Sequence, residues 1–211
     1  MKIIIVGAGS QARIVHEILS YERNIEVVAF IDNLKRSGQE RIKGIPILGG
    51  HSVIPGLIKK GVSGAIIAVS MNDIRNAHFN KLRGMGLELI NAIHPTASIA
   101  SGVKLGAGVI ICMGAIISTG VNIGDNVLIS TGAIVDHEDK IGPHVNVSSG
   151  SSLAGNVTVK TGSVVGIGSV VKENVTIGEN SVIGAGSVVL EDIPDNVLAA
   201  GTPAKVMGKN K

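Results

Sequence analysis

Nine consecutive residues hold much of the chemistry this chain can offer: Asp136-His137-Glu138-Asp139-Lys140-Ile141-Gly142-Pro143-His144. An imidazole titrates near neutrality, so His137 can accept a proton from an attacking nucleophile at physiological pH. A carboxylate beside it can fix its tautomer and stabilise the imidazolium that develops. Asp136, Glu138 and Asp139 are all candidates for that place. His144 raises the question of a metal, but a zinc site needs three protein ligands or more, and His94 is the nearest further histidine in this part of the chain. No metal is expected. A second group lies at the start, where Gly7-Ala8-Gly9-Ser10-Gln11-Ala12 follows an apolar run and Asp32-Asn33 comes after the next one. Gly7, Gly9 and Ala12 fit a nucleotide-binding glycine turn of the G-x-G-x-x-G/A form. Backbone N–H groups at the helix start there would attract a diphosphate. The lone Cys112 sits far in sequence from His137, so no covalent intermediate on it is expected.

The first cluster sits inside a repeat. From Ile93 through Ile99, Leu105 and Ile111 to Val189, every sixth residue is Ile, Val or Leu, seventeen positions without a slip. A period of six fits neither an amphipathic helix nor a coiled-coil seam and signals a parallel β-helix. Three residues after the aliphatic position Gly or Asn recurs (Gly102, Gly108, Gly114, Gly120, Asn126, Gly132), as a tight corner demands. Four residues after it comes a small or β-branched residue, such as Val103, Ala115 or Val127. Between Gly102 and Gly186 the corner rule fails only at Glu138 and His144, and the small inward position is charged only at Asp139. A chain that breaks its own local rules at one place usually does so for function.

Ahead of the repeat the sequence predicts an α/β unit over residues 1–92. Lys2 to Val6 reads as a strand, Ala12 to Leu19 as a helix with Ile14, Val15, Ile18 and Leu19 inward, and Glu26 to Ile31 as a second strand. A loop with a short extended piece over Gly44 to Gly50 precedes a helix over Val53 to Lys60. A strand over Ala65 to Val69 then leads to a helix from Asp73, its N-cap, to Met85, and to a last strand over Leu87 to Ile93. Roughly four strands make half of a dinucleotide fold, too little to hold a whole NAD. The repeat fills residues 93–194, with roughly five coils of three hexads. Residues 195–211, with Gly201-Thr202-Pro203-Ala204-Lys205, form a closing segment.

Composition narrows the partners. A net charge of +3 over 211 residues, with aromatic residues at 1 %, provides no stacking platform for nucleic acid. No apolar run approaches the ~20 residues of a membrane helix, so the mean hydropathy of +0.41 reflects buried β-helix interior. One cysteine and no start resembling a secretory signal predict a cytoplasmic protein. The open ends and flat faces of a solenoid predict an oligomer.

The repeat resembles the hexapeptide-repeat acyltransferases, whose triangular β-helix is left-handed. The whole chain, with its glycine-turn βαβ unit, its His-Glu pair and its G-x-P-A-K ending, resembles the UDP-4-amino-sugar N-acetyltransferases and the related sialic acid O-acetyltransferases. The resemblance implies an acetyl-CoA-dependent transfer to the amine of a UDP- or GDP-linked amino sugar for surface glycan synthesis. His137 would be the general base and Glu138 its partner. Acetyl-CoA would lie between neighbouring subunits of a homotrimer, on Asn146, Ile167 and Ala185, with Lys205 on a CoA phosphate. Ser10, Gln11, Ala12, Asp32, Asn33 and Ser70 would hold the sugar nucleotide. Many relatives carry Gly-His-Gly at Ser10-Gln11-Ala12 and two aspartates at Asp32-Asn33, which leaves the nucleotide open. Sialic acid O-acetylation, a non-catalytic nucleotide-sugar scaffold and a metal-dependent hydratase of the γ-class carbonic anhydrase type are the alternatives.

Overall fold

In the computed structural model, residues 1–33 and 40–210 are described; the last residue of the closing segment, Lys211, lies outside them. The chain forms two compact units, Met1–Ala92 and Ile93–Lys211.

The first unit is built on β1 (Lys2–Val6), whose Ile3, Ile4 and Ile5 are wholly buried. A run that is apolar from Ile3 to Val6 suits the centre of a parallel sheet covered on both faces. β1 is flanked by β2 (Glu26–Ile31) and β5 (Val62–Ile67), both parallel to it, with Val6 opposite Ile31 and Ile67. With β3 (Arg41–Ile42), β4 (Ile45–Leu48) and β6 (Glu88–Leu89), the sheet runs β3-β4-β2-β1-β5-β6. It therefore has six strands where the sequence suggested about four. The two additions are β3 and β4, a hairpin turned at Lys43 (φ 50°) whose second strand lies in the extended piece expected over Gly44 to Gly50; a strand of two residues like β3 carries no alternation to detect. The expected strand over Leu87 to Ile93 is split: Glu88–Leu89 pairs with β5, whereas Ala92–Ile93 opens the solenoid.

Helix α1 (Ser10–Leu19) buries Ala12, Val15, Ile18 and Leu19, with Ala12 in the place expected for Ile14. The helix expected over Val53 to Lys60 is a 3-10 turn, His51–Val53, running into α2 (Ile54–Ile58). Helix α3 (Asn72–Gly84) starts after Met71, so Asp73 is not its cap. Asp73 lies in the first turn, where its charge complements the helix dipole.

In the second unit the two-residue strands from Ala92–Ile93 to Val188–Val189 stack in parallel with partners eighteen residues apart: Ile116 faces Ile134, Asn122 faces Lys140 and Leu128 faces Asn146. Three hexads thus make one coil, and the strands fall into three sheets, the walls of a left-handed parallel β-helix. The sixth-residue aliphatic column fills the interior, with Ile111, Ile129, Val147, Val165 and Ile183 all at 0 % exposure. Burying each such side chain contributes about 1.5–3 kcal/mol. Later coils place serine at the small inward position, and its hydroxyl is satisfied by a carbonyl of the next coil, as in Ser151 Oγ to the Gly166 carbonyl (2.8 Å) and Ser169 Oγ to that of Gly184 (2.9 Å). The closing segment is a hairpin of Val197–Gly201 and Ala204–Lys209 that extends one wall through Leu198 opposite Val182.

Candidate functional site

Every corner in the middle of the solenoid takes the left-handed conformation. Glu138 and His144 take it too, each at φ 61°, although neither is Gly or Asn. A residue of this kind is held in αL at a cost, and such strain gathers at functional sites. The exposed His137 precedes the first of these corners. Its imidazole lies on Gly155, one coil further on, where a Cβ would come within 2.3 Å of ring atoms Cε1 and Nε2. Gly155 therefore leaves the room that the ring occupies. Glu138 turns the other way: its carboxylate lies on Gly120, one coil back, where a Cβ would meet Oε1 at 2.2 Å. The structure thus places both side chains at one corner without bringing them together.

The other two carboxylates are engaged with backbone. Asp136 Oδ1 accepts the His137 N–H at 2.7 Å. Asp139 is wholly buried, and its oxygens accept the N–H groups of Asp136 (3.1 Å) and Val157 (2.7 Å). Burial outweighs these two bonds and pushes its carboxyl up to about 7. Asp139 is thus an anchor that ties the His137 corner to the next coil, not a partner for the imidazole.

His144 is paired through Nδ1 with Asn126 Nδ2 (2.8 Å), the corner residue one coil back. His94 is buried, and its Nδ1 is 2.8 Å from Thr96 Oγ1. Among the described residues no group of three or more His, Cys, Asp and Glu side chains could hold a metal ion. The Cys112 thiol is buried and pushed up to about 11 by desolvation, which makes it a poor nucleophile.

Asn146 lies on the wall strand Asn146–Val147, and its buried Oδ1 has no hydrogen-bond partner among the described residues. Ile167 is 63 % exposed, an unusual place for an isoleucine. Ala185 and Lys205 are also exposed, Lys205 on the closing hairpin opposite Ala200.

In the first unit a cavity of about 590 Å³ opens at the C-terminal ends of β1, β2 and β5, the edge where open α/β sheets bind ligands. Gly7 (φ 107°) is required there, because a Cβ would stand 2.7 Å from the Ala68 carbonyl oxygen. Asp32 Oδ2 accepts the Ala8 N–H at 2.9 Å, so this carboxylate shapes the glycine turn itself. The Asn33 side chain packs on Gly50, where there is no room for a Cβ. Ser10, Gln11 and Ser70 line the cavity with these residues. The buried Gln11 Nε2 has no hydrogen-bond partner among the described residues. Ala12 is the exception: it is fully buried in the core and does not line the cavity, because the turn of α1 carries it onto the sheet.

Three further residues escaped the sequence analysis. Arg75, 1 % exposed, donates to the carbonyls of Val69 (3.3 Å) and Ser70 (3.0 Å) and so fixes the Ser70 loop; burial pulls its guanidinium down to about 10. A cation in the first turn of α3, against the helix dipole, was the available signal. His51 and His78 line the cavity from the 3-10 turn and from α3. They are 27 residues apart and belong to no motif.

Comparison with known proteins agrees with both halves. Residues 2–82 match the PglD N-terminal domain family, and residues 156–191 match the bacterial transferase hexapeptide family (six repeats). No curated protein matches the chain. Among solved structures, a histidine-to-asparagine variant of perosamine N-acetyltransferase from Caulobacter crescentus, in complex with CoA and GDP-perosamine, is 36 % identical, with 99 % of this chain and 98 % of that one covered and a TM-score of 0.94. The acetyltransferase domain of PglB from Neisseria gonorrhoeae, in complex with acetyl coenzyme A, is 29 % identical over 98 % of each chain, at a TM-score of 0.91. WeeI from Acinetobacter baumannii, 23 % identical at a TM-score of 0.88, shares the fold. With full-length similarity to perosamine N-acetyltransferase, and with the repeat and the glycine-turn domain both matched, this chain belongs to the hexapeptide-repeat sugar N-acetyltransferases.

Proposed function

We propose that this protein transfers the acetyl group of acetyl-CoA to the amine of a nucleotide-linked 4-amino sugar, with His137 as general base. The observation that carries the reading is the coincidence at one corner of the solenoid: the repeat rules fail at Glu138 and Asp139, and the exposed imidazole beside them lies over a glycine that clears space for it. The relatives support the chemistry, since perosamine N-acetyltransferase binds CoA and GDP-perosamine and the PglB domain binds acetyl coenzyme A.

In the proposed reaction the sugar amine attacks the thioester carbonyl and loses a proton to a ring nitrogen of His137. The tetrahedral intermediate collapses with loss of CoA thiolate, which takes up the proton. A backbone N–H supports the oxyanion. Glu138, exposed at the same corner, is the carboxylate assigned to orient the imidazole, by turning from Gly120. Asn146, Ile167 and Ala185 take the pantetheine arm, with the open Asn146 Oδ1 accepting an amide N–H, and Lys205 meets a CoA phosphate. This cleft lies between neighbouring chains of a homotrimer, which works in the cytoplasm. The cavity of the first unit takes the nucleoside diphosphate, its phosphates on the glycine turn and Ser10, its nucleoside toward Asp32, Asn33 and Ser70, with Gln11 donating.

Thiol release from acetyl-CoA against GDP- and UDP-linked 4-amino sugars and free sialic acid tests this. CoA is expected with an amino sugar nucleotide alone. Release with sialic acid alone would replace the reading with O-acetylation.

A further inference from the structure

The first unit's cavity presents a charge problem. Among its described lining residues there is no Lys or Arg, and the one charged side chain is the carboxylate of Asp32. A nucleoside diphosphate brings negative charge into this space. Among the described lining residues the groups able to acquire a positive charge are two imidazoles, and these are in contact: His78 Nδ1 lies 3.0 Å from His51 Nε2, with ring centroids 4.7 Å apart and planes at 29°.

Such a bridge needs a single proton between the two nitrogens. The neutral pair carries two ring protons on four nitrogens. One fills the bridge and the other sits on either His51 Nδ1 or His78 Nε2. The outer nitrogens are then one donor and one acceptor, and the acceptor would repel a phosphate oxygen. A third proton, taken from water, makes both outer nitrogens donors and gives the pair one positive charge. Resting on the assignment of this cavity to a nucleoside diphosphate, we propose that the stacked His51–His78 pair is a proton-linked phosphate clamp, taking up one proton as the nucleotide binds.

The surroundings agree. Without ligand both imidazoles are held below the ordinary histidine range. For His51 the causes are burial, then His78 and Lys81; for His78 they are burial and Lys81 of the same helix, opposed by Asp32. Burial and the nearby cation thus favour the neutral pair, and an anion beside it moves it toward protonation. The sign follows: a site that gains a proton on binding loses affinity as pH rises, by up to about tenfold per pH unit for one proton.

Calorimetric titration of the full-length protein with GDP and with UDP, in PIPES and in Tris at one pH, counts protons taken up. The proposal expects uptake approaching one proton near neutral pH. Uptake should be lost, and affinity lowered about tenfold, in both His51→Gln and His78→Gln. Acetyl-CoA binding serves as the folding control for the variants. Nucleotide binding with no buffer dependence in the unmodified protein, or with uptake that survives both substitutions, would overturn the clamp and leave the nucleotide site standing. Failure of both nucleotides to bind would overturn the site assignment and the clamp with it.

Discussion

At the residue scale, the His137 corner depends on what is absent beneath it. The imidazole occupies the space a side chain at position 155 would fill. Gly155→Ala is therefore expected to displace the ring, and a misplacement of about 1 Å can cost on the order of 100-fold in rate. Steady-state kinetics should show kcat falling that far while acetyl-CoA binding and thermal stability hold. An unchanged kcat would mean the ring does not work from this position. The irregular corner beside His137 was legible in the sequence because the hexads make every departure visible. The choice among Asp136, Glu138 and Asp139 was not, because it depends on which way each carboxylate turns. In the fold, two of them serve backbone N–H groups and the third leans on Gly120, one coil back, while the imidazole lies on Gly155, one coil further on.

At the scale of elements, Asp139 ties the strand Lys140–Ile141 and its corner to the coil that begins near Val157. Its carboxyl stands at about 7 in the folded protein, above the ordinary value of 3.8, so the folded state binds this proton more tightly than the unfolded one. The stability it contributes is complete below about pH 4 and is lost as pH rises through about 7, a term on the order of a few kcal/mol. Thermal melts between pH 5 and 8.5 should show stability falling with pH in the unmodified protein and a flatter profile in Asp139→Asn. Parallel profiles would contradict the assignment. The solenoid was legible because each coil repeats the same contacts at a spacing of eighteen, so seventeen aliphatic positions report one structure. The first unit was less so. Its long strands β1 and β2 have the predicted limits, but β3 and β6, of two residues each, are formed by pairing and not by local pattern. The His51–His78 contact is created by topology, which carries two unrelated stretches to one edge of the sheet.

At the scale of the whole molecule, the chain joins the cavity proposed for a nucleotide with the solenoid that carries the proposed general base, and the relatives span both units. The exposed Ile167, with Ile116 at 44 % and Val170 at 47 %, gives the solenoid apolar surface to cover, as the proposed homotrimer would. Light scattering is expected to return three times the 21.5 kDa chain mass, and a monomer at micromolar concentration would contradict the intersubunit cleft. The most direct test of the central claim is CoA release from acetyl-CoA with GDP-perosamine and its UDP-linked 4-amino counterparts, comparing the unmodified protein with His137→Ala. Turnover with at least one of these acceptors should fall by about 10²–10⁴ in the variant while acetyl-CoA binding persists. Equal turnover by the two proteins would contradict the account.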